Sequence, residues 1–522
     1  MQKASQEALA CSSVHSSHIL PSKSQDTELS FQAYAEPFYT LESTPVTGSA
    51  VFSSPTVTSV SSNKSPFSPL LSHSYVSDIH HSSDNSSSLN DSFDSLWLLS
   101  NESMGPECGS MYNGSSTDES AQPCYSTRYH RIIEMASNMD LKQLLIACAE
   151  VISEADIISF SERKIAASAA ETLLDMIQER VSVSGEPLQR LGAYMLEALR
   201  ARLLSSGSLI CKKLKCDEPS GPDLMSHMQL LAQILPFYRF AYTSASVVIG
   251  EAMENEKRIH IIDFQIAQGS QWLSFIQAVA QRPGGPPYVR ITGVDDSESA
   301  HARGGGLELV GQRLAQLAES CGVPFEFHGA ATSVCDVQLE NLNVQHGEAV
   351  AVNFPYVLHH IPDESVSTSN HRDRLLRLVK SLSPKVMTLV EQESNTNTAT
   401  FSQRFRETLD YYAAMFECID AAALARDDMQ RINAEEHCVA KDVVSIIACE
   451  GNERMERHEV FGKWRWRLSM AGFSQIRITP SVTTAVRDML KEYSPSYGVA
   501  EANDAVYIGW KNKALVSFSG WR

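Results

Sequence analysis

Two aspartates sit where an α/β enzyme would keep the carboxylates that hold a ligand. Asp263 closes the apolar run of Ile259, Ile261 and Ile262, and Asp295 closes YVRITGVD about 32 residues later. Acids at the carboxyl ends of successive parallel strands suit the amine and the ribose hydroxyls of S-adenosylmethionine. A third string, Asn353-Phe354-Pro355-Tyr356, is similar to the Asn-Pro-Pro-Tyr that grips a flipped adenine in some methyltransferases. The loop after Asp263 argues against methyl transfer. It reads FQIAQGSQW, with Gln265 and Ala267 where a nucleotide loop needs bare Cα atoms, and Gln271 and Trp272 add bulk close by. The expectation is an enzyme-like scaffold with no catalytic residue, no cofactor and no metal, in which Asp263 caps the amides of the loop that follows it. An active methyltransferase and a non-catalytic pocket for a small ligand are the alternatives.

Other chemistry-bearing residues have bland readings beside sharp ones. Adjacent His359 and His360 point in different directions and no acid follows until Asp363, so one is expected near the sheet edge and the other in solvent, rather than both on a metal. Arg372, Arg374 and Arg377, with Lys380, recur at helical spacing; a solvated face and a DNA-contacting face would look the same. In WRWR, Trp464 to Arg467, buried indoles and arginine ion pairs are expected before stacking on a base. Leu141, Leu144 and Leu145 form an LxxLL string that fits either a partner's groove or the helix's own core. Lys212, Lys213 and Lys215 make a short patch that suits a weak import signal or a solvated loop.

Positioning these groups falls to a chain with two characters. Up to about Tyr125 roughly one residue in four is serine and aliphatic runs are short, a composition that cannot offset the entropy of ordering the backbone. Residues 1–130 are expected to be a disordered arm. Inside it Phe93, Leu96, Trp97, Leu98 and Leu99 cluster among Asp91, Asp94 and Glu102, the pattern of an activation segment that folds on a partner. From 131 apolar residues recur at helical spacing for some hundred and twenty positions; from Ile259 strands and helices alternate, and AVYIGW-KNK-ALVSFSGW ends the chain as a hairpin. SQIRITPSV reads as a further strand. The fold class expected is α/β and Rossmann-like: a parallel sheet closed by a terminal antiparallel hairpin, the methyltransferase layout, with an α-helical cap.

Charge and cysteine usage limit partners and compartment. The net charge of −19 disfavours unaided tight binding to nucleic acid, since phosphates are repelled unless basic residues gather on one face. The 11 cysteines show no Cys-x-x-Cys pair and are expected to be reduced thiols, and no apolar run suggests a membrane span or secretion signal. A place in the nucleus or cytosol follows.

Several separated strings agree in order with one family. Ile259-His260-Ile261-Ile262-Asp263, continuing to Gly269, Gln271 and Trp272, resembles the VHIID motif of the GRAS family of plant transcriptional regulators, with Ile259 in place of its valine. The flanking leucine-rich helices resemble its two leucine heptad regions; NFPYVLHH, FSQRFRETLDYYAAMFECID and RINAEEHCVAKDVVSIIACEGNERMERHE resemble its PFYRE region; WRWRLSMAGF and IGWKNKALVSFSGWR resemble its SAW region. Within it, VSVSGEPLQRLGAYMLEALRARL and RPGGPPYVRITGVDD are similar to the branch named for phytochrome A signal transduction. The resemblance implies a GRAS domain over 131–522: leucine-rich helices and cap at 131–254, VHIID region at 255–300, second leucine-rich region at 301–345, PFYRE region at 346–455 and SAW region at 456–522. It implies a nuclear regulator, also found in the cytoplasm, that works through DNA-binding transcription factors and other GRAS proteins, as homo- or heterodimer, touching DNA mostly indirectly.

Overall fold

The computed structural model describes residues 124–204, 221–296 and 306–522. The segment carrying Phe93, Leu96, Trp97, Leu98 and Leu99, and the patch Lys212, Lys213 and Lys215, lie outside the described residues. The amino-terminal helices are α1 (Cys124–Ala136), α2 (Leu141–Ala155), α3 (Phe160–Gln178), α4 (Pro187–Leu203), α5 (Gly221–Ile234) and α6 (Phe237–Ala252). Asp140 starts α2: its carboxylate accepts from Gln143 N at 2.7 Å, and Gln143 Oε1 accepts the Asp140 N–H at 3.1 Å, satisfying two amides that a helix start leaves open. The boundary expected at 130 falls inside α1. Tyr129 is buried and its hydroxyl donates to Glu154 at 3.0 Å, so the packed fold begins earlier than serine content suggests.

Strands and helices then alternate: β1 (Arg258–Asp263), α7 (Gln271–Ala280), β2 (Tyr288–Asp295), α8 (Gly306–Ser320), β3 (Phe325–Ala331), the short α9 (Leu339–Leu342), β4 (Ala349–Pro355), α10 (His371–Ser381) and β5 (Val386–Gln392). Helices α11 (Phe401–Asp420), α12 (Met429–Glu435), α13 (Lys441–Ala448) and α14 (Phe461–Met470) follow, then β6 (Gln475–Ile476), α15 (Pro480–Leu490), β7 (Tyr497–Ala502), β8 (Ala505–Trp510) and β9 (Lys513–Trp521). The expected strand SQIRITPSV is a correction. Only Gln475 and Ile476 pair, against β9, and Pro480 opens α15, where its fixed φ and missing N–H suit a first helical turn.

The sheet runs β3-β2-β1-β4-β5-β9-β8-β7, with β1 to β5 parallel and β9 antiparallel to β5. That order reverses between β1 and β4, so the crevice at the carboxyl ends of β1 and β4 is where an open α/β sheet offers a ligand site. The fold is α/β, a methyltransferase-type sheet with a terminal antiparallel hairpin. Strand alternation divides the core. Ile259, Ile261, Ile291 and Ala351 join the apolar faces of α1 to α6 and α11, whereas Ile262, Val294, Val352 and Leu389 pack with Leu375, Leu376, Trp464 and Trp521. Helix α6 locks onto the sheet through Tyr356, whose hydroxyl donates to Phe237 O at 2.8 Å, and through the Phe240–Phe518 edge contact at 6.4 Å.

Candidate functional site at the carboxyl edge of the sheet

Asp263 ends β1 fully buried, at the position a ligand-binding carboxylate would occupy, and this chain's own side chains use it up. Its Oδ1 accepts from Gln265 N at 3.1 Å, as expected of a loop cap. Its Oδ2 accepts from Trp272 Nε1 at 2.7 Å, from Gln271 Nε2 and, at 3.5 Å, from Asn353 Nδ2. Asn353 also donates to Gln271 Oε1 at 3.3 Å, and Thr388 Oγ1 donates to Asn353 Oδ1 at 2.7 Å. The cluster therefore joins β1, β4, β5 and the start of α7. Burial pushes the Asp263 carboxyl up to about 7 against the opposing pull of those N–H donors.

The loop that delivers Gln271 and Trp272 has its own geometry. Ala267 takes φ 48° although it is not glycine, so a residue with a side chain makes the left-handed turn here. Gly269, at φ 71°, leaves no such latitude: a Cβ there would meet Val310 Cγ1 at 3.0 Å and Leu314 Cδ1 at 3.1 Å. Ile266 is buried across Gly293, where a Cβ would stand 2.8 Å from it. His260, on the opposite face, lies between Thr292 Oγ1 at 2.8 Å and Glu348 at 3.0 Å, and burial lowers its pKa to about 4. The VHIID residues thus form a buried lattice of strand, loop and helix start.

The arginines of α10 separate into different environments, which corrects the reading of one solvated or DNA-facing surface. Arg372 is fully buried: its Nε donates to Ile361 O at 3.1 Å, its Nη1 lies 3.5 Å from both Asp363 and Glu459, and its guanidinium stacks 4.9 Å from the Trp464 ring. Arg374 is half-buried and donates to Val337 O at 2.8 Å and Cys335 O at 2.5 Å. Arg377 remains exposed. Although burial alone would raise Asp363, Arg372 and hydrogen bonds from Ser365 and Asn397 hold it down at about 2. Arg467 completes this network through Asp373 at 2.7 Å and Glu364 at 3.0 Å, as the ion-pair reading of WRWR expects; Trp464 is buried, but Trp466 is 62% exposed.

In the LxxLL string Leu144 and Leu145 are fully buried and Leu141 is half-buried, so the leucines belong to the helical core and are withdrawn from a partner's groove. Cys148, Cys321, Cys335, Cys418 and Cys438 are free thiols, whereas Cys449 departs from expectation in being disulfide-bonded.

His359 and His360 also differ from their expectation, since both are buried and neither faces solvent. His359 Nδ1 meets Glu391 at 2.5 Å, and its Nε2 lies 3.4 Å from Glu456, which sits 3.2 Å from His458 and 3.3 Å from His360. Burial lowers His359 well below the usual imidazole range and His458 to about 4, and raises Glu391 to about 7. Sequence reading missed this cluster because its acids come from β5 and from a segment about a hundred residues away. The repeated alternation of acid and base in RMERHE was the available signal.

Comparison with known proteins finds relatives over most of the chain. Scarecrow-like protein 13 of Arabidopsis thaliana is 51% identical over 499 residues, covering 93% of this chain and 92% of the relative. Scarecrow-like transcription factor PAT1 of the same plant is 55% identical over 391 residues, covering 75% and 78%. The crystal structure of SCL7 in Oryza sativa superimposes with a TM-score of 0.63 at 29% identity, over 74% of this chain and all of that one. The GRAS domain family matches residues 141–522, from the start of α2 through the last strand, and the chain belongs to that family.

Proposed function

We propose that this chain is a plant transcriptional regulator that acts in the nucleus through protein partners and not by catalysis. The observation that carries the reading is the closed state of the Asp263 site. A carboxylate that must receive a ligand has to leave acceptor capacity free, and here it accepts four N–H groups from the chain itself. Relatives that bear the name of a transcription factor or of a DELLA protein add support from a different direction. The net charge of −19 favours recruitment to DNA by DNA-binding transcription factors or by other GRAS proteins, with direct DNA contact secondary. No helix among the described residues is long and apolar enough to cross a membrane.

The test pairs two measurements on the full chain. Calorimetry with S-adenosylmethionine at high-micromolar concentration is expected to give no saturable heat, and pull-down from plant nuclear extract with mass spectrometry is expected to recover sequence-specific DNA-binding factors. Saturable cofactor binding would overturn the non-catalytic reading. Tight, sequence-selective binding of duplex DNA by the isolated chain at physiological salt would overturn the partner-mediated one.

A further inference from the structure

We infer that His359, Glu456 and His458 form a binding site for one divalent transition-metal ion, with zinc favoured by the donor set, that fastens the segment 454–459 to the carboxyl end of β4. One ligand atom from each residue lies within 4.8 Å of the others, and all three residues are buried. Two imidazole nitrogens and one carboxylate oxygen are a recurrent set for zinc, and the same donors suit neither calcium nor magnesium, which take oxygen ligands.

Three further observations point to a cation. First, the atoms converge without pairing: Glu456 Oε2 and both ring nitrogens of His458 have no hydrogen-bond partner, although Glu456 Oε2 and His458 Nε2 are only 3.2 Å apart. Unpaired buried polar atoms are costly, and an ion at their common focus would satisfy them together. Second, Glu391 takes the Nδ1 side of His359 at 2.5 Å, which turns Nε2 toward Glu456. A neutral imidazole that donates from Nδ1 presents a lone pair at Nε2, so two acceptors then face each other across 3.4 Å unless a cation lies between them. Carboxylate, histidine and metal in that order is the usual orienting arrangement for a metal-bound imidazole. Third, the segment is held in register by other bonds: Arg457 N donates to His359 O at 3.0 Å, and Ser445 Oγ accepts from Met455 N at 3.0 Å. The side chains of Glu456 and His458 are therefore delivered by a fixed backbone. Enclosure of the site gives the ion a structural role, acquired as the chain folds.

The experiment uses the full chain without a histidine tag, folded in the presence of zinc, dialysed exhaustively and analysed for bound metal and for X-ray absorption at the zinc edge. The expected result is about one zinc per chain, with a nitrogen and oxygen shell at about 2.0–2.1 Å and no sulfur at about 2.3 Å. Glu456→Gln and His458→Gln are expected to lose the zinc, Glu391→Gln to hold it about 10–100-fold more weakly, and His437→Gln, outside the cluster, to retain it. Should the ligand variants fail to fold, the absorption spectrum of the wild type, together with retention in His437→Gln, decides. A folded wild type that retains no zinc and melts at the same temperature with and without zinc overturns the proposal and leaves a buried hydrogen-bonded network only. A sulfur shell, or zinc retained by folded His458→Gln, places the metal elsewhere and overturns it equally.

Discussion

Replacing Asp263 by asparagine separates two forces that the wild type holds in opposition. The carboxylate accepts from Gln265 N on one oxygen and from Gln271, Trp272 and Asn353 on the other. Asparagine keeps one oxygen and turns an NH2 toward whichever donors lie on the other side. At least one buried N–H then loses its acceptor, at a cost of about 1–3 kcal/mol. The second force is burial, which pushes the Asp263 carboxyl up to about 7 from an ordinary value near 3.8. An acid with a raised folded pKa takes up a proton on folding between those values. Its contribution is complete at pH below the unfolded pKa and is lost as pH rises through the folded one. From pH 5 to pH 8 the wild type should lose about 3 kcal/mol from this group, a loss that asparagine, which does not titrate, escapes. The stability of the variant relative to the wild type should therefore rise steadily from pH 5 to pH 8. Urea unfolding of both proteins across that range, followed by tryptophan fluorescence and by circular dichroism, reads the difference and cancels the titration of groups common to both. A difference that stays constant from pH 5 to 8 would refute the reasoning, because it would mean that the four N–H donors keep Asp263 ionised throughout and outweigh its burial.

Gly269→Ala should lower stability by about 1–3 kcal/mol, from a positive φ and the contacts with Val310 and Leu314, and an unchanged thermal midpoint would contradict the packing of that loop. Arg372→Ala should cost about 3–5 kcal/mol by removing the buried guanidinium that lies between Asp363 and Glu459, whereas exposed Arg377→Ala should stay within about 0.5 kcal/mol; equal midpoints in denaturant would erase the distinction between them. Leu144→Ala should cost about 2–5 kcal/mol, and partner capture should fall only as far as the folded fraction does; a fully folded variant that loses its partner would restore the groove-docking reading of the LxxLL string. Residues 1–125 fused to a heterologous DNA-binding domain should activate a reporter, and Trp97→Ala with Leu98→Ala should remove most of that activity; activity that instead depends on Asp91 and Asp94 alone would favour a charge mechanism.

The sheet was legible because its signal is local. Ile259, Ile261 and Ile262 are buried on both faces of a central parallel strand, which removes strict alternation and leaves a short apolar run closed by an acid, readable without knowing its neighbours. The hairpin of β8 and β9 announced itself in the same way, by two apolar runs around Lys511-Asn512. Pro480 misled because a proline near a short β-prone run fits both an edge strand and a helix start, and only pairing with β9 decides between them. The role of Asp263 was half legible: the bond to Gln265 N is two residues long, whereas Asn353 reaches it from β4, 90 residues away.

Polar pairing inside the second core had no comparable signal, and Arg372 shows why. Helical spacing put Arg372, Arg374 and Arg377 near one another and polarity suggested water for all three, yet α10 packs Leu375, Leu376 and Val379 inward and carries Arg372 with them. Burying a guanidinium is unfavourable unless carboxylates and carbonyls meet it, and those come from Ile361, Asp363 and Glu459, on segments before and after α10. Glu459 lies one residue beyond His458, so the strip that satisfies Arg372 is the strip that delivers Glu456 and His458 to His359. The RMERHE string alternates its charges because successive side chains serve two buried clusters. A segment whose ionisable residues all face inward cannot be read from hydropathy, which counts it as surface; it becomes intelligible only when the partners on β4, β5 and α10 are placed around it.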